Sequence, residues 1–198
     1  MNDAVPTPHA ATDQASAWVT RFAPLIPEGE VLDLACGGGR HARLLARLGY
    51  PVLAVDRDAE ALAALAGEGI RTLLADLEQE SMQIGMAPFE SGRFSGIVVT
   101  NYLHRPLFPL LLQCLAPGGM LIYETFADGN QQFGKPSNPA FLLKPGELLD
   151  LARSAGPAAL RVLAYEDGYT EQPRPAMVQR ICGIAPGSAL PPLRLRVA

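Results

Sequence analysis

The chain has 198 residues, 48% of them hydrophobic and 18% charged, which sets it apart from disordered tails and coiled coils and leaves room for one full-sized core. A formal net charge of −4, with no Lys/Arg run, weighs against a nucleic-acid-binding surface. Cys36, Cys114 and Cys182 are odd in number and far apart, without CxxC or CxxH spacing, so neither a disulfide framework nor a zinc site is expected.

Residues 1–11 hold Pro6 and Pro8 among small and polar residues and read as a flexible leader. They lack the basic and apolar regions of an export signal, and no apolar run reaches membrane-spanning length. A cytoplasmic location is therefore expected. A short helix follows, with Ala15, Trp18, Val19 and Phe22 on one face.

From Val31 the chain alternates between two periods. Val31 to Cys36 reads as a buried strand that ends in Gly37-Gly38-Gly39. The next helix carries Leu44, Leu45 and Leu48 inward and Arg40, Arg43 and Arg47 outward. Pro51 to Val55 is a second strand, Asp58 to Ala66 a helix capped by Asp58, and Ile70 to Leu74 a third strand. Gly96 to Thr100 is the fourth strand. Leu107 to Leu115 is a helix with Leu107, Leu110, Leu111 and Cys114 on one face, and Met120 to Phe126 the fifth strand. This alternation implies right-handed crossovers and a doubly wound, mainly parallel α/β sheet.

Ala127 to Gly146 breaks the rhythm with roughly twenty residues of no clear period, a length at which loops are usually functional or disordered. Glu147 to Ser154 resumes as a helix with Leu148, Leu151 and Ala152 on one face. Arg161 to Tyr165 and Met177 to Ala185 read as two last strands, joined by the turn-rich Glu166 to Ala176. The expected organisation is a leader at 1–11, one domain at 12–185 and a Pro-rich tail at 186–198.

Strand, Gly-rich turn and helix together set backbone N–H groups and a helix N-terminus against a ligand, with glycine permitting close approach. The turn at Gly37 to Gly39 is a weak signal alone. Asp56 sharpens it, because an acid ending the next strand is placed to accept ribose hydroxyls. Asp76 follows the third strand, where it can meet an adenine amino group. Each acid alone has the commoner meaning of a turn or capping residue; the glycine turn and the two acids, at the carboxyl ends of three successive strands, together mark a ligand site.

The order Asp33-x-Ala-x-Gly37-x-Gly39, Asp56, Asp76-Leu77, Asn101-Tyr102 and Leu115-Ala-Pro-Gly-Gly119 resembles the class I methyltransferases that depend on S-adenosylmethionine (SAM). The likeness runs from about Trp18 to Ala185, and the chain is also similar to the small tellurite-resistance-type methyltransferases. It departs in two places. Ala35 stands where many members have the first glycine, and strand four ends in Asn-Tyr-Leu-His in place of the acidic or Asn-Pro-Pro-Tyr signatures of other branches.

The resemblance implies a seven-stranded Rossmann-like sheet, its last two strands at one edge and the final one antiparallel. It implies SAM as cofactor, with Asp33, Ala35, Gly37 and Gly39 against the methionine part, Asp56 on the ribose, and Asp76 with Leu77 on the adenine. Arg57 is placed to cover the adenine face, Asn101 to contact the cofactor, and Arg40 to meet the methionine carboxylate or simply to be exposed at a helix start.

Tyr102 and His104, just beyond strand four, are the candidate catalytic residues, and Ala127 to Gly146 is the expected cover. The wider pool for an acceptor pocket adds Glu124, Phe133, Lys135, Phe141, Tyr169 and Arg174. His104 has a plain alternative as a helix cap, and Phe133 and Phe141 as pins of the loop. The expected activity is methyl transfer to a small-molecule acceptor, needing no metal. The alternatives are a nicotinamide-dependent oxidoreductase, which Gly37-x-Gly39-x-x-Ala42 with Asp56 also approximates, and a non-catalytic SAM-binding protein.

Overall fold

Short, mostly apolar runs place the middle of the sheet. All four residues of β1 (Val31–Leu34) and all seven of β4 (Phe94–Thr100) are buried, as strands covered on both faces must be. The computed structural model describes residues 14–79, 88–154 and 156–187. The expected leader at 1–11 lies outside them, as does the tail beyond Gly187.

Around β1 and β4 run β2 (Val52–Asp56), β3 (Arg71–Leu74), β5 (Leu115–Phe126), β6 (Arg161–Thr170) and β7 (Ala176–Ile184). They form one sheet in the order β3-β2-β1-β4-β5-β7-β6. The first five are mutually parallel, and β7 is antiparallel to both neighbours. β6 therefore points the same way as β5. The carboxyl ends of β1 to β6 share one rim of the sheet, the edge at which open α/β sheets bind ligands.

Alternation along the strands feeds two cores. On one face Leu32, Leu34, Val55, Ile97, Val99 and Leu121 pack under α4 (Phe108–Cys114) and α5 (Glu147–Arg153), through Leu111 and Leu148. On the other Val31, Ala54, Val98, Met120 and Ile122 pack under α1 (Ala17–Phe22), α2 (Arg40–Arg47) and α3 (Ala59–Ala63), through Trp18, Phe22, Leu45 and Leu62. Helices on both faces make the sheet doubly wound, as expected.

Four local expectations change. The inward face of α2 is His41, Ala42 and Leu45, while Leu48 is 43% exposed. β5 begins at Leu115, ahead of Met120, because Leu115 pairs with Phe94 before a register shift. Gly119 permits this, since a Cβ there would sit 2.9 Å from the carbonyl oxygens of Ala116 and Phe94. β6 runs on to Thr170 because β7 pairs with it as far as Thr170 opposite Ala176, so the turn shrinks to residues 171–175. Cross-strand pairing here overrides the local turn signals of Asp167-Gly168.

The long connection 127–146 is ordered without regular strands or α-helices. Two 3-10 turns, Asn130–Gln132 and Pro139–Phe141, punctuate it, and Ala127 bridges Leu143. Its anchors are side chains. Arg105 pairs with Glu147 and donates to the carbonyls of Ala140 (2.8 Å) and Leu142 (2.9 Å). Buried Asn130 donates to the Pro136 carbonyl and accepts the Met177 N–H.

Candidate active site

At the end of β1 the backbone turns left-handed three times, at Ala35 (φ 53°), Gly37 (φ 50°) and Gly39 (φ 74°). Each has its own reason. An added Cβ at Gly39 would lie 2.3 Å from Leu65 Cδ2, so the turn can pack on the α3 side of the molecule only as glycine. At Gly37 and Gly38 an added Cβ would meet nothing within 4 Å, so the backbone there borders open space. Ala35 takes the left-handed conformation with its Cβ in place, a cost of roughly 1–2 kcal/mol typical of strained positions at sites.

The strand-end acids are tied into this turn. Asp56 Oδ2 accepts the Gly37 N–H at 2.7 Å and its Oδ1 accepts the Asp58 N–H at 2.9 Å. Asp58 in turn caps α3 through the amides of Glu60 and Ala61, as its sequence position indicates. Asp76 Oδ1 accepts the Glu78 N–H at 3.1 Å. Asn101 follows β4 with φ 56°, its N–H on the Glu124 carbonyl.

Asp33 lies beneath the turn with 1% of its surface exposed, and neither carboxylate oxygen has a hydrogen-bond partner among the described residues. Burial pushes its carboxyl up to about 7; the Ala42 amide and the Arg40 charge offset this only in part, and neither closes a hydrogen bond. A buried acid without a partner is uncommon in a folded chain and marks the turn as a candidate site.

A cavity of about 420 Å³ opens on the same rim. Ala35, Asp56, Arg57, Ala75, Asp76, Leu77 and Glu78 wall one end, and Asn101, Tyr102 and Leu103 the middle. Thr125, Phe126, Pro136 and Phe141 wall the other end. A more open recess of about 460 Å³ adjoins it through Pro136 and Phe141, with Lys135, Ser137, Asn138 and Arg174 around it.

The cavity thus gathers Ala35, Asp56, Arg57, Asp76, Leu77, Asn101 and Tyr102 of the sequence candidates, and Gly37, Gly39 and Asp33 form and underlie the turn beside it. His104 is not among the walls. It opens a 3-10 turn (Arg105–Leu107) with its carbonyl, and its side chain makes no capping bond. Glu124 is turned away and ion-paired to Arg180, which also meets Glu166 at 3.0 Å. Phe133 stacks on Tyr169, ring centres 5.1 Å apart.

Tyr102 is half-buried, and its hydroxyl is closed off without a partner. Burial and the nearby Glu78 and Asp76 carboxylates raise its pKa well above the ordinary tyrosine value, so the phenol stays protonated. Its carbonyl accepts the Tyr123 hydroxyl at 2.8 Å, which fixes the backbone just past β4.

Sequence reading passed over three features. Thr125 and Phe126 end β5 on the binding rim, and the rule applied to β1 to β3 picks them out. His41 is buried on α2, where its Nε2 accepts the Ser16 N–H and its Nδ1 faces the Thr100 hydroxyl at 3.2 Å. Burial, with the Arg40 charge, drops its pKa to about 3, so it is neutral and joins the chain before α1 to the end of β4. The Arg105–Glu147 pair joins residues 42 apart and had no local signal.

Residues 31–119 match a family model described as a methyltransferase domain. A protein-L-isoaspartate O-methyltransferase of Chlorobaculum tepidum is 35% identical over 107 residues, covering 54% of this chain and 49% of that protein. The chain spans about half the length of that curated relative. TehB from Haemophilus influenzae superposes with a TM-score of 0.65 at 21% identity, over 86% of this chain and 62% of that one. The Burkholderia thailandensis 1,6-didemethyltoxoflavin-N1-methyltransferase, solved with S-adenosylhomocysteine (SAH), gives a TM-score of 0.62 at 17% identity, over 94% and 93%. A TehB-like SAM-dependent methyltransferase from Corynebacterium glutamicum gives 0.59 at 17%, over 89% and 91%. These structures share the fold.

Proposed function

We propose that this chain, which carries a methyltransferase domain over residues 31–119 on the class I SAM-dependent fold, transfers the methyl group of SAM to a small molecule. The observation that carries the reading is Asp33: a buried carboxylate without a partner, directly under a glycine turn that borders open space. SAM supplies an electrophilic methyl on a sulfonium, so the protein has to align an acceptor and exclude water.

The residues present fit that cofactor. Asp33 sets a carboxylate behind the turn against which the α-ammonium of the methionine part would lie, and the Gly37 and Gly38 backbone lets it approach. Each Asp56 oxygen is already fixed by one amide and keeps a second lone pair, so the carboxylate is oriented in advance to take ribose hydroxyls. Asp76, Leu77 and Arg57 frame the adenine, and Asn101 contacts the cofactor from the end of β4.

Thr125, Phe126 and Phe141 then bound the acceptor and keep water from it. Tyr102, held in its protonated form, bounds the ligands as a wall and takes no proton. The reading gives no catalytic task to His104, whose side chain stands outside the cavity walls. Cofactor and acceptor together call for no more than the single unit expected at 12–185. Three buried free cysteines suit a reducing cytoplasm.

Incubation with SAM labelled in its methyl group and a fractionated pool of polar metabolites tests the reading. Label should pass to a low-molecular-weight product in wild type and not in Asp33→Ala. SAM binding without transfer to any fraction would favour the non-catalytic alternative.

A further inference from the structure

On the methyl-transfer reading just given, we propose that the acceptor is an organic acid whose anionic group is received by Lys135 and Arg174 at the mouth of the cavity. The two cations reach this place from different parts of the chain. Lys135 lies in the ordered 127–146 connection, positioned by the hydrogen bond of buried Asn130 to the Pro136 carbonyl. Arg174 lies in the turn between β6 and β7 and donates to the Lys135 carbonyl at 3.3 Å.

The guanidinium of Arg174 sits over the Phe126 ring, 5.4 Å from its centre. Phe126 walls the inner cavity while Arg174 borders the outer recess, so one cation–π contact joins the two spaces. Pro136 and Phe141 border both. The cleft is graded in charge. Its inner end holds three acids, Asp56, Asp76 and Glu78, against one cation, Arg57, whereas the recess is bordered by Lys135, Arg174, Ser137 and Asn138, with no acid among them.

Neither Lys135 nor Arg174 belongs to any ion pair among the described residues, whereas Arg43, Arg71, Arg93, Arg105 and Arg180 all do. Lys135 and Arg174 both border the recess without an ion-pair partner among the described residues, so in a chain of net charge −4 they put positive charge at the entrance to the site. Pro136 and Phe141 border the recess and Phe126 the inner cavity, and together they supply apolar contact for the body of the acid. Both cations are exposed, so their pull is screened by salt.

The test uses the protein loaded with SAH and calorimetric titration of matched pairs: 4-hydroxybenzoate against 4-hydroxybenzamide, 4-hydroxyphenylacetate against its amide, and phenyl phosphate against phenol. In at least one pair the anion should bind about tenfold more tightly than its neutral partner, as expected of complementary charge at a site entrance. That preference should collapse in Lys135→Gln/Arg174→Gln and in about 0.5 M NaCl, where screening is nearly complete. A carboxylate preference and a phosphate preference identify different acids. No anion preference in any pair, or a preference that survives the double substitution, overturns the proposal. The thermal shift given by SAH alone is read first: its retention in the double variant shows that fold and donor site are intact, and its absence in wild type counts against the methyltransferase reading itself.

Discussion

The Asp56 carboxylate accepts the Gly37 amide N–H at 2.7 Å, so the acid that ends β2 also holds the glycine turn that ends β1. Ligand recognition and turn geometry therefore share one side chain. Asp56→Ala removes both, along with the bond to the Asp58 N–H. Charge-assisted hydrogen bonds of this kind are worth about 1.5–3 kcal/mol each. The variant should lower the melting temperature of the free protein and weaken SAH by about tenfold or more by calorimetry. A variant with weakened binding and unchanged melting temperature would show that the Gly37 bond has no structural weight.

Asp33 predicts a proton linkage. Its folded pKa, raised from 3.8 to about 7, lies above the unfolded value, so its contribution to stability is full below about pH 4 and is lost as pH rises through about 7. A ligand ammonium beside it reverses the preference and favours the carboxylate. SAH binding at pH 6 should therefore release a proton, visible as a dependence of the calorimetric enthalpy on the ionisation enthalpy of the buffer. Asp33→Asn should abolish that dependence and make the free protein more stable at pH 8. Equal proton release in wild type and Asp33→Asn would remove Asp33 from the ligand site.

Ala35 carries a Cβ at φ 53°, in the region that favours glycine. Ala35→Gly relieves the strain but gives the unfolded chain more freedom, two effects of opposite sign that leave a net gain of up to about 1 kcal/mol. Thermal denaturation should show a small rise in melting temperature. A fall of several degrees would mean that the methyl group packs in a way that outweighs its backbone cost.

Arg105 pins the 127–146 connection through Glu147 and the carbonyls of Ala140 and Leu142. The hydrogen bond from Arg105 holds the Glu147 carboxyl below the usual glutamate range, so the pair stabilises the fold above the unfolded pKa and is lost as pH falls through the folded one. Partial exposure limits the ion pair itself to about 1 kcal/mol. Arg105→Ala should speed amide hydrogen exchange across residues 138–146 while leaving β1 and β4 protected. Unchanged exchange there would mean that Asn130 and the Ala127–Leu143 bridge hold the connection without Arg105.

Much of the sheet is legible because buried parallel strands are short apolar runs: Val31 to Leu34 and Gly96 to Thr100 leave no alternative period. The donor end of the site is legible for a related reason, since Ala35, Asp56 and Asp76 lie at or just past the ends of their strands. The acceptor end is legible only in part, through Tyr102, Lys135, Phe141 and Arg174. Thr125 and Phe126 meet Pro136 and Phe141 only because the connection is held by Arg105, Glu147 and Asn130, whose partners are remote in sequence. His41 was hidden by pattern: Leu44, Leu45 and Leu48 suggest an apolar stripe, and packing under α1 instead turns His41 inward and Leu48 out. β6 was cut short by Asp167-Gly168, a turn signal that pairing with β7 overrides.

Calorimetric titration of the purified chain with SAM, SAH and NADH under identical conditions tests most directly whether the cavity beside the glycine turn is a SAM site. The account predicts saturable one-to-one binding of SAM and SAH, a rise in melting temperature with each by mass action, and no heat with NADH. Binding of NADH with no response to SAM or SAH would contradict it.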